Sequence, residues 1–118
     1  MSERSPVVCA HYHQAIELIG RRWTGAIVRA LMGGRLRYCE IRGAIPEVSD
    51  RMLSERLKEL EAAGIVLRLV TPATPVRVEY ELTKKGRGLE QALAAIEAWA
   101  SEWKEAPAAQ PKARAIRS

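Results

Sequence analysis

The 118 residues leave room for one domain, and a chain of this size can bury a core that holds it together. Hydrophobic residues make up 47%, which excludes a disordered polypeptide; aromatic residues are only 5% and Phe is absent, so aliphatic side chains must fill most of the core. The net charge of +5 points toward an anionic partner, and two cysteines, Cys9 and Cys39, are too few for a disulfide framework.

The first six residues lack the apolar run of a signal peptide, and no stretch reaches the roughly 18 apolar residues that cross a bilayer. The chain is therefore expected in the cytoplasm, away from membranes, with both thiols reduced. Val8, Tyr12, Ile16 and Ile19 recur with a period near 3.6, which predicts a first helix that Gly20 stops in the left-handed conformation. A second helix is expected from Thr24, with the hydroxyl as its cap and Ile27, Val28 and Leu31 inward, to Gly33-Gly34. Residues 35–37 suit a small strand. A brief third helix over 38–44, expected to be largely buried, ends where Pro46 disfavours helix at Ile45.

Ser49 reads as an N-cap, with Asp50 in the first turn where the helix dipole favours negative charge. The fourth helix runs to about Ala63, with Leu53, Leu57 and Leu60 on its buried stripe and Gly64 as terminator. Residues 65–70 and 76–82 have the β-branched, alternating character of a hairpin, and Pro72 and Pro75 belong in the loop between them. Thr83 is expected to cap one last helix that carries Leu89, Leu93, Ile96, Ala100 and Trp103 on a stripe, with Ala92 and Trp99 beside it. From Ala106 the apolar period is lost. The expected division is an N-terminal arm (1–8), one domain (9–105) and a flexible basic tail (106–118). The fold class is mainly α with a small β-hairpin: a winged helix-turn-helix with added N- and C-terminal helices.

Residues 38–64 form two helices joined by a short turn and followed at once by a hairpin. The major groove of duplex DNA, about 12 Å wide, admits one helix held by a supporting one. With the leucines inward, a rotation of 100° per residue turns Arg51, Glu55, Lys58 and Ala62 outward, with Ser54 close by. Arg51 can donate two hydrogen bonds to a guanine, Glu55 can accept from a cytosine amino group, and Lys58 suits a phosphate. Arg77, near the tip of the wing, suits a phosphate or the minor groove. The candidate DNA-contacting set is thus Ser49, Arg51, Ser54, Glu55, Lys58 and Arg77. The competing reading is an ordinary amphipathic surface helix with an Arg51–Glu55 ion pair, and a solvated Arg77 beside Glu79. A rival of another class is a winged helix used for protein–protein contact. There is no phosphate-binding glycine loop, no nucleophile elbow and no cluster of inward carboxylates, so no enzyme activity is expected and no cofactor is implied.

Over about Cys9 to Trp103 the chain resembles the HxlR-type winged-helix regulators, relatives of the MarR group. The likeness lies in residues 15–24 (AIELIGRRWT), 37–41 (RYCEI), 49–66 (SDRMLSERLKELEAAGIV) and 76–86 (VRVEYELTKKG). Gly25 stands where the family usually carries a larger apolar residue. The resemblance implies a homodimer built from the first and last helices, and double-stranded DNA held by the fourth helix and the wing. The dimer face is then expected to hold Val8, Tyr12 and Ile16 on one side and Leu93, Ile96, Trp99 and Trp103 on the other. Cys9 matches a position where family members often carry a cysteine, and some of these act as thiol switches. Arg4, His11 or His13 can supply the cation that eases ionisation of a thiol; the alternative is a small apolar residue at a helix start. Cys9, His11, His13 and Cys39 match no common zinc spacing, so no metal is expected. The sequence shows no pocket for a controlling small molecule, and the effector is unknown.

Overall fold

A computed structural model describes residues 7–103. The basic tail and residues 1–6 lie outside the described residues. The elements run α1 (Ala10–Ile19), α2 (Thr24–Leu31), β1 (Leu36–Arg37), α3 (Tyr38–Ala44), α4 (Asp50–Ala62), β2 (Val66–Thr71), β3 (Arg77–Leu82), α5 (Lys84–Arg87) and α6 (Glu90–Glu102). No helix among the described residues is long and apolar enough to cross a membrane.

The winged helix-turn-helix core forms because α2, α3, α4 and the base of the wing each turn apolar side chains inward. Ile27, Val28 and Leu31 of α2, Ile41 of α3, and Leu53, Leu57 and Leu60 of α4 are buried together with Ile45, Val48, Ile65, Val66 and Leu82. Fully burying each such aliphatic side chain contributes about 1.5–3 kcal/mol. At the base of the wing Val66 pairs with Leu82, and both are buried; from there the strands run outward and become exposed. The hairpin carries a third strand. β1 pairs antiparallel with β3, Leu36 opposite Tyr80 and Arg37 opposite Glu79, which gives the order β1-β3-β2.

Several local expectations need correction. Gly20 is right-handed (φ −80°), and its N–H continues the helix by donating to the Ile16 carbonyl at 2.8 Å. Its small size matters for another reason, since a Cβ there would sit 2.9 Å from that carbonyl oxygen. The left-handed residue is Trp23 (φ 76°), with the Arg22 guanidinium 4.8 Å from its ring centroid. Thr24 is the first residue of α2, 2% exposed, and does not cap it. Cys39 is exposed, because the seven-residue α3 buries only Ile41. At Gly64 the expected αL terminator is present (φ 76°).

The last helix is broken in two. Thr83 does cap a turn, its Oγ1 accepting from the Gly86 N–H at 3.0 Å, but that turn is the four-residue α5. Gly86 and Gly88 weaken helix propensity, and α6 starts afresh after Leu89. The chain divides there into two compact units, one ending at Gly88 and the other starting at Leu89. Within α6, Leu93 is buried, whereas Ile96, Trp99 and Trp103 are 54%, 64% and 63% exposed.

Candidate nucleic-acid interface

The N-terminus of α4 is built by local chemistry. Ser49 takes extended backbone angles, and its Oγ accepts a hydrogen bond from the Met52 N–H at 3.1 Å, satisfying one of the donors a helix start leaves open. The phenol of Tyr38, from the first turn of α3, donates to Asp50, with its carbonyl at 3.0 Å and its carboxylate at 3.1 Å, and lies 3.4 Å from Ser54 Oγ. Arg42 completes the joint: Nη1 lies 3.0 Å from the Asp50 carboxylate, and Nε donates to the Val48 carbonyl at 3.3 Å. These bonds fix the angle between the two helices around the turn that Pro46 introduces.

The opposite side of α4 is anchored to the α1–α2 link. Arg56 donates from Nε to the Arg22 carbonyl at 2.9 Å and from Nη1 to Glu59 at 3.2 Å. Arg21 reaches the same carboxylate, with Nη2 bonded to Oε2 at 3.2 Å and Nε 3.1 Å from Oε1 as a charge contact rather than an aligned hydrogen bond. At 11% side-chain exposure Arg56 is mostly buried, so this pairing is better shielded from solvent than a surface ion pair.

With both sides held, α4 turns Arg51, Glu55 and Lys58 to solvent, as the spacing of the leucines requires. Arg51 Nε and Glu55 Oε2 are 3.3 Å apart, so the ion pair of the competing reading is present in the free protein. Ser54 is half-buried and engaged by Tyr38; Ser49 is exposed at the cap. Lys58 borders a hollow of about 270 Å³ between α4 and the sheet, shared with Ser54, Glu61, Arg68 and Tyr80. Arg77 opens β3, opposite Thr71 at the end of β2, and is exposed. It does not pair with Glu79: Arg35 does, at 3.8 Å, and also pairs with Glu81 at 3.2 Å.

Sequence spacing alone had not singled out Tyr38, Arg42, Arg56 and Glu59 as the residues that hold α4, nor Arg68 beside Lys58. Their partners lie on other elements, and no periodicity encodes them. The remaining candidates are placed one unit at a time. Val8, Tyr12 and Ile16 are exposed in and before α1, and Ile96, Trp99 and Trp103 are exposed along α6. Leu93, expected beside them, is already buried in the single chain. Cys9 is the exposed N-cap residue of α1, its Sγ 3.9 Å from His11 Nδ1.

A family model described as HxlR-like helix-turn-helix matches residues 18–108. The HTH-type transcriptional regulator YodB of Bacillus subtilis is 46% identical over 98 residues, covering 83% of this chain and 88% of that protein. An uncharacterized HTH-type transcriptional regulator of the same organism, YvaP, is 48% identical over 96 residues, covering 81% and 89%. Among solved structures, the reduced form of YodB superposes with a TM-score of 0.75 at 45% identity, over 84% of this chain and 97% of that one. The redox regulator HypR in its oxidized form gives 0.78 at 34% identity, over 82% and 100%. YodB has also been solved diamide-treated and quinone-bound.

Proposed function

The chain belongs to the HxlR-like helix-turn-helix family, and from that premise we propose that it is a transcription regulator that binds a roughly palindromic operator as a homodimer, through the helix 49–63 and the wing 71–77. One observation carries this reading. A helix anchored on both flanks presents an exposed, polar N-terminal half, and the wing that follows it ends in an arginine with no acidic partner among the described residues. Arg51 and Glu55 read base edges, Lys58 and Arg77 neutralise phosphates, and Ser49 and Ser54 complete the contact set.

Apolar side chains exposed on α1 and α6 support the dimer. Val8, Tyr12 and Ile16, with Ile96, Trp99 and Trp103, are more large apolar surface than a monomer of this size ordinarily leaves to water. A two-fold interface covers them in self-complementary fashion and sets two copies of α4 one helical turn of DNA apart, about 34–36 Å or a multiple. Control is proposed to act through Cys9, an exposed thiol on α1, by reaction with an oxidant or electrophile. The redox forms of YodB and HypR support that regulation by family likeness.

A salt titration tests the reading against a protein-docking module. Affinity for duplex DNA is expected to fall steeply with salt, log K against log salt having a slope near 0.9 for each neutralised phosphate. A chain that binds no duplex at low salt contradicts it. A Cys9→Ser variant whose DNA binding still responds to diamide contradicts the thiol switch alone.

A further inference from the structure

A groove of about 740 Å³ runs between the start of α3 and the wing loop. Arg37, Tyr38, Cys39, Thr71, Val76 and Arg77 are among the residues that line it. The sheet register sets Arg37 opposite Glu79, and Arg77 precedes Glu79 by two residues, so all three side chains share one face of the sheet. The acids on this face are already used, because Arg35 pairs with both Glu79 and Glu81. Among the described residues neither Arg37 nor Arg77 has an ion-pair partner. Two guanidinium groups that line one groove without acidic partners favour an anion beside them.

Tyr38 locates the groove relative to α4. Its residue lines the groove while its phenol bonds Asp50 and approaches Ser54 in the first two turns of α4. The groove is therefore bordered by the joint that ties the start of α3 to the first turns of α4, and by the wing loop. In a duplex, a major groove and the neighbouring minor groove are separated by one phosphodiester strand. A protein with a helix in the first and a hairpin at the second must straddle that strand.

We propose that this groove seats that phosphodiester strand, with Arg37 from β1 and Arg77 from β3 contacting its phosphates. The inference rests on the DNA-binding reading above and adds Arg37 to it as a sequence-independent contact. Arginine suits the role because its planar fork matches two phosphate oxygens at once. Cys39, exposed in the lining of the same groove, is a built-in reporter of whether the groove is filled.

The test uses the full-length chain and an operator duplex. In salt titrations, Arg37→Gln is expected to lower the slope by about 0.9 per protomer, with the same proportional loss of affinity on operator and unrelated duplex. Independently, bound DNA is expected to slow alkylation of Cys39 by N-ethylmaleimide at least tenfold, read on the Cys39 peptide by mass spectrometry. If the parent binds DNA but the Arg37→Gln slope is unchanged, or Cys39 is alkylated as fast as in the free protein, the groove assignment is overturned and the DNA-binding reading stands. If the parent binds no duplex, both fall together.

Discussion

Replacing Arg51 with alanine is expected to cost sequence discrimination rather than folding. Among the described residues Arg51 is held only by Glu55 at 3.3 Å, with side-chain exposures of 87% and 47%. An exposed pair at this helical spacing is worth about 0.3–0.5 kcal/mol, so Arg51→Ala should leave unfolding stability within about 0.5 kcal/mol of the parent. On DNA the arginine must leave Glu55 to reach a base, and a bidentate contact with guanine discriminates by about 1–3 kcal/mol. Subtracting the broken pair leaves about 0.5–2.7 kcal/mol per half-site, hence about 1–5.4 kcal/mol on an operator read twice. That corresponds to a loss of roughly 5-fold to nearly ten-thousandfold on the preferred operator. Fluorescence anisotropy on three duplexes resolves it: the operator, the operator with the contacted guanine replaced, and an unrelated sequence. The variant should bind the first two alike, at about the parent's affinity for the guanine-substituted operator, and keep only part of its preference over the unrelated sequence. An equal loss on every duplex would refute the reasoning and make Arg51 a phosphate contact.

Arg77→Ala is expected to weaken binding uniformly across sequences and to lower the salt slope by about one unit per wing; an unchanged slope removes the wing from the interface. Ile96→Glu and Trp99→Glu, at positions 54% and 64% exposed, should leave the fold intact and shift the protein from dimer to monomer in sedimentation at tens of micromolar, with loss of operator binding. A parent that is monomeric there, or variants that remain dimeric, contradict the dimer. Two glycines should respond oppositely in urea unfolding. At Gly86 a Cβ would press into the Ile65 backbone, so Gly86→Ala should destabilise by about 1–3 kcal/mol. At Gly25 the nearest atom to a Cβ is the Ile19 carbonyl oxygen at 4.0 Å, so Gly25→Ala should stabilise α2 by about 0.5–1 kcal/mol.

What the sequence made legible is what local chemistry decides. Ser49 caps α4, Leu53, Leu57 and Leu60 face inward, and Gly64 takes the left-handed turn, because each signal lies within a few residues of its effect. The wing was readable from its prolines and alternation. The pairing of Leu36 with Tyr80 was not, since a two-residue strand has no periodicity and its partner lies more than forty positions away. The same limit hid the joint of Tyr38, Arg42 and Asp50, the anchor of Arg56 on the Arg22 carbonyl, and the groove that Arg37 and Arg77 both line. Gly20 and Thr24 misled for a different reason. Each residue type has a preferred role at helix ends, but the turn between α1 and α2 gives the left-handed position to Trp23 and buries Thr24 in the core. The break at Gly88 followed the same logic, two weak helix formers outweighing a stripe that is continuous in sequence but not in structure.

The central claim is that two copies of α4 read a two-fold operator. Selecting bound fragments from a pool of genomic DNA tests it most directly, because the recovered sequences report the site and its symmetry together. The account predicts a single enriched motif, roughly palindromic, with half-sites centred about 10–10.5 base pairs apart or a multiple of that. Recovery of no enriched duplex, or of an asymmetric motif bound by one chain, would contradict it.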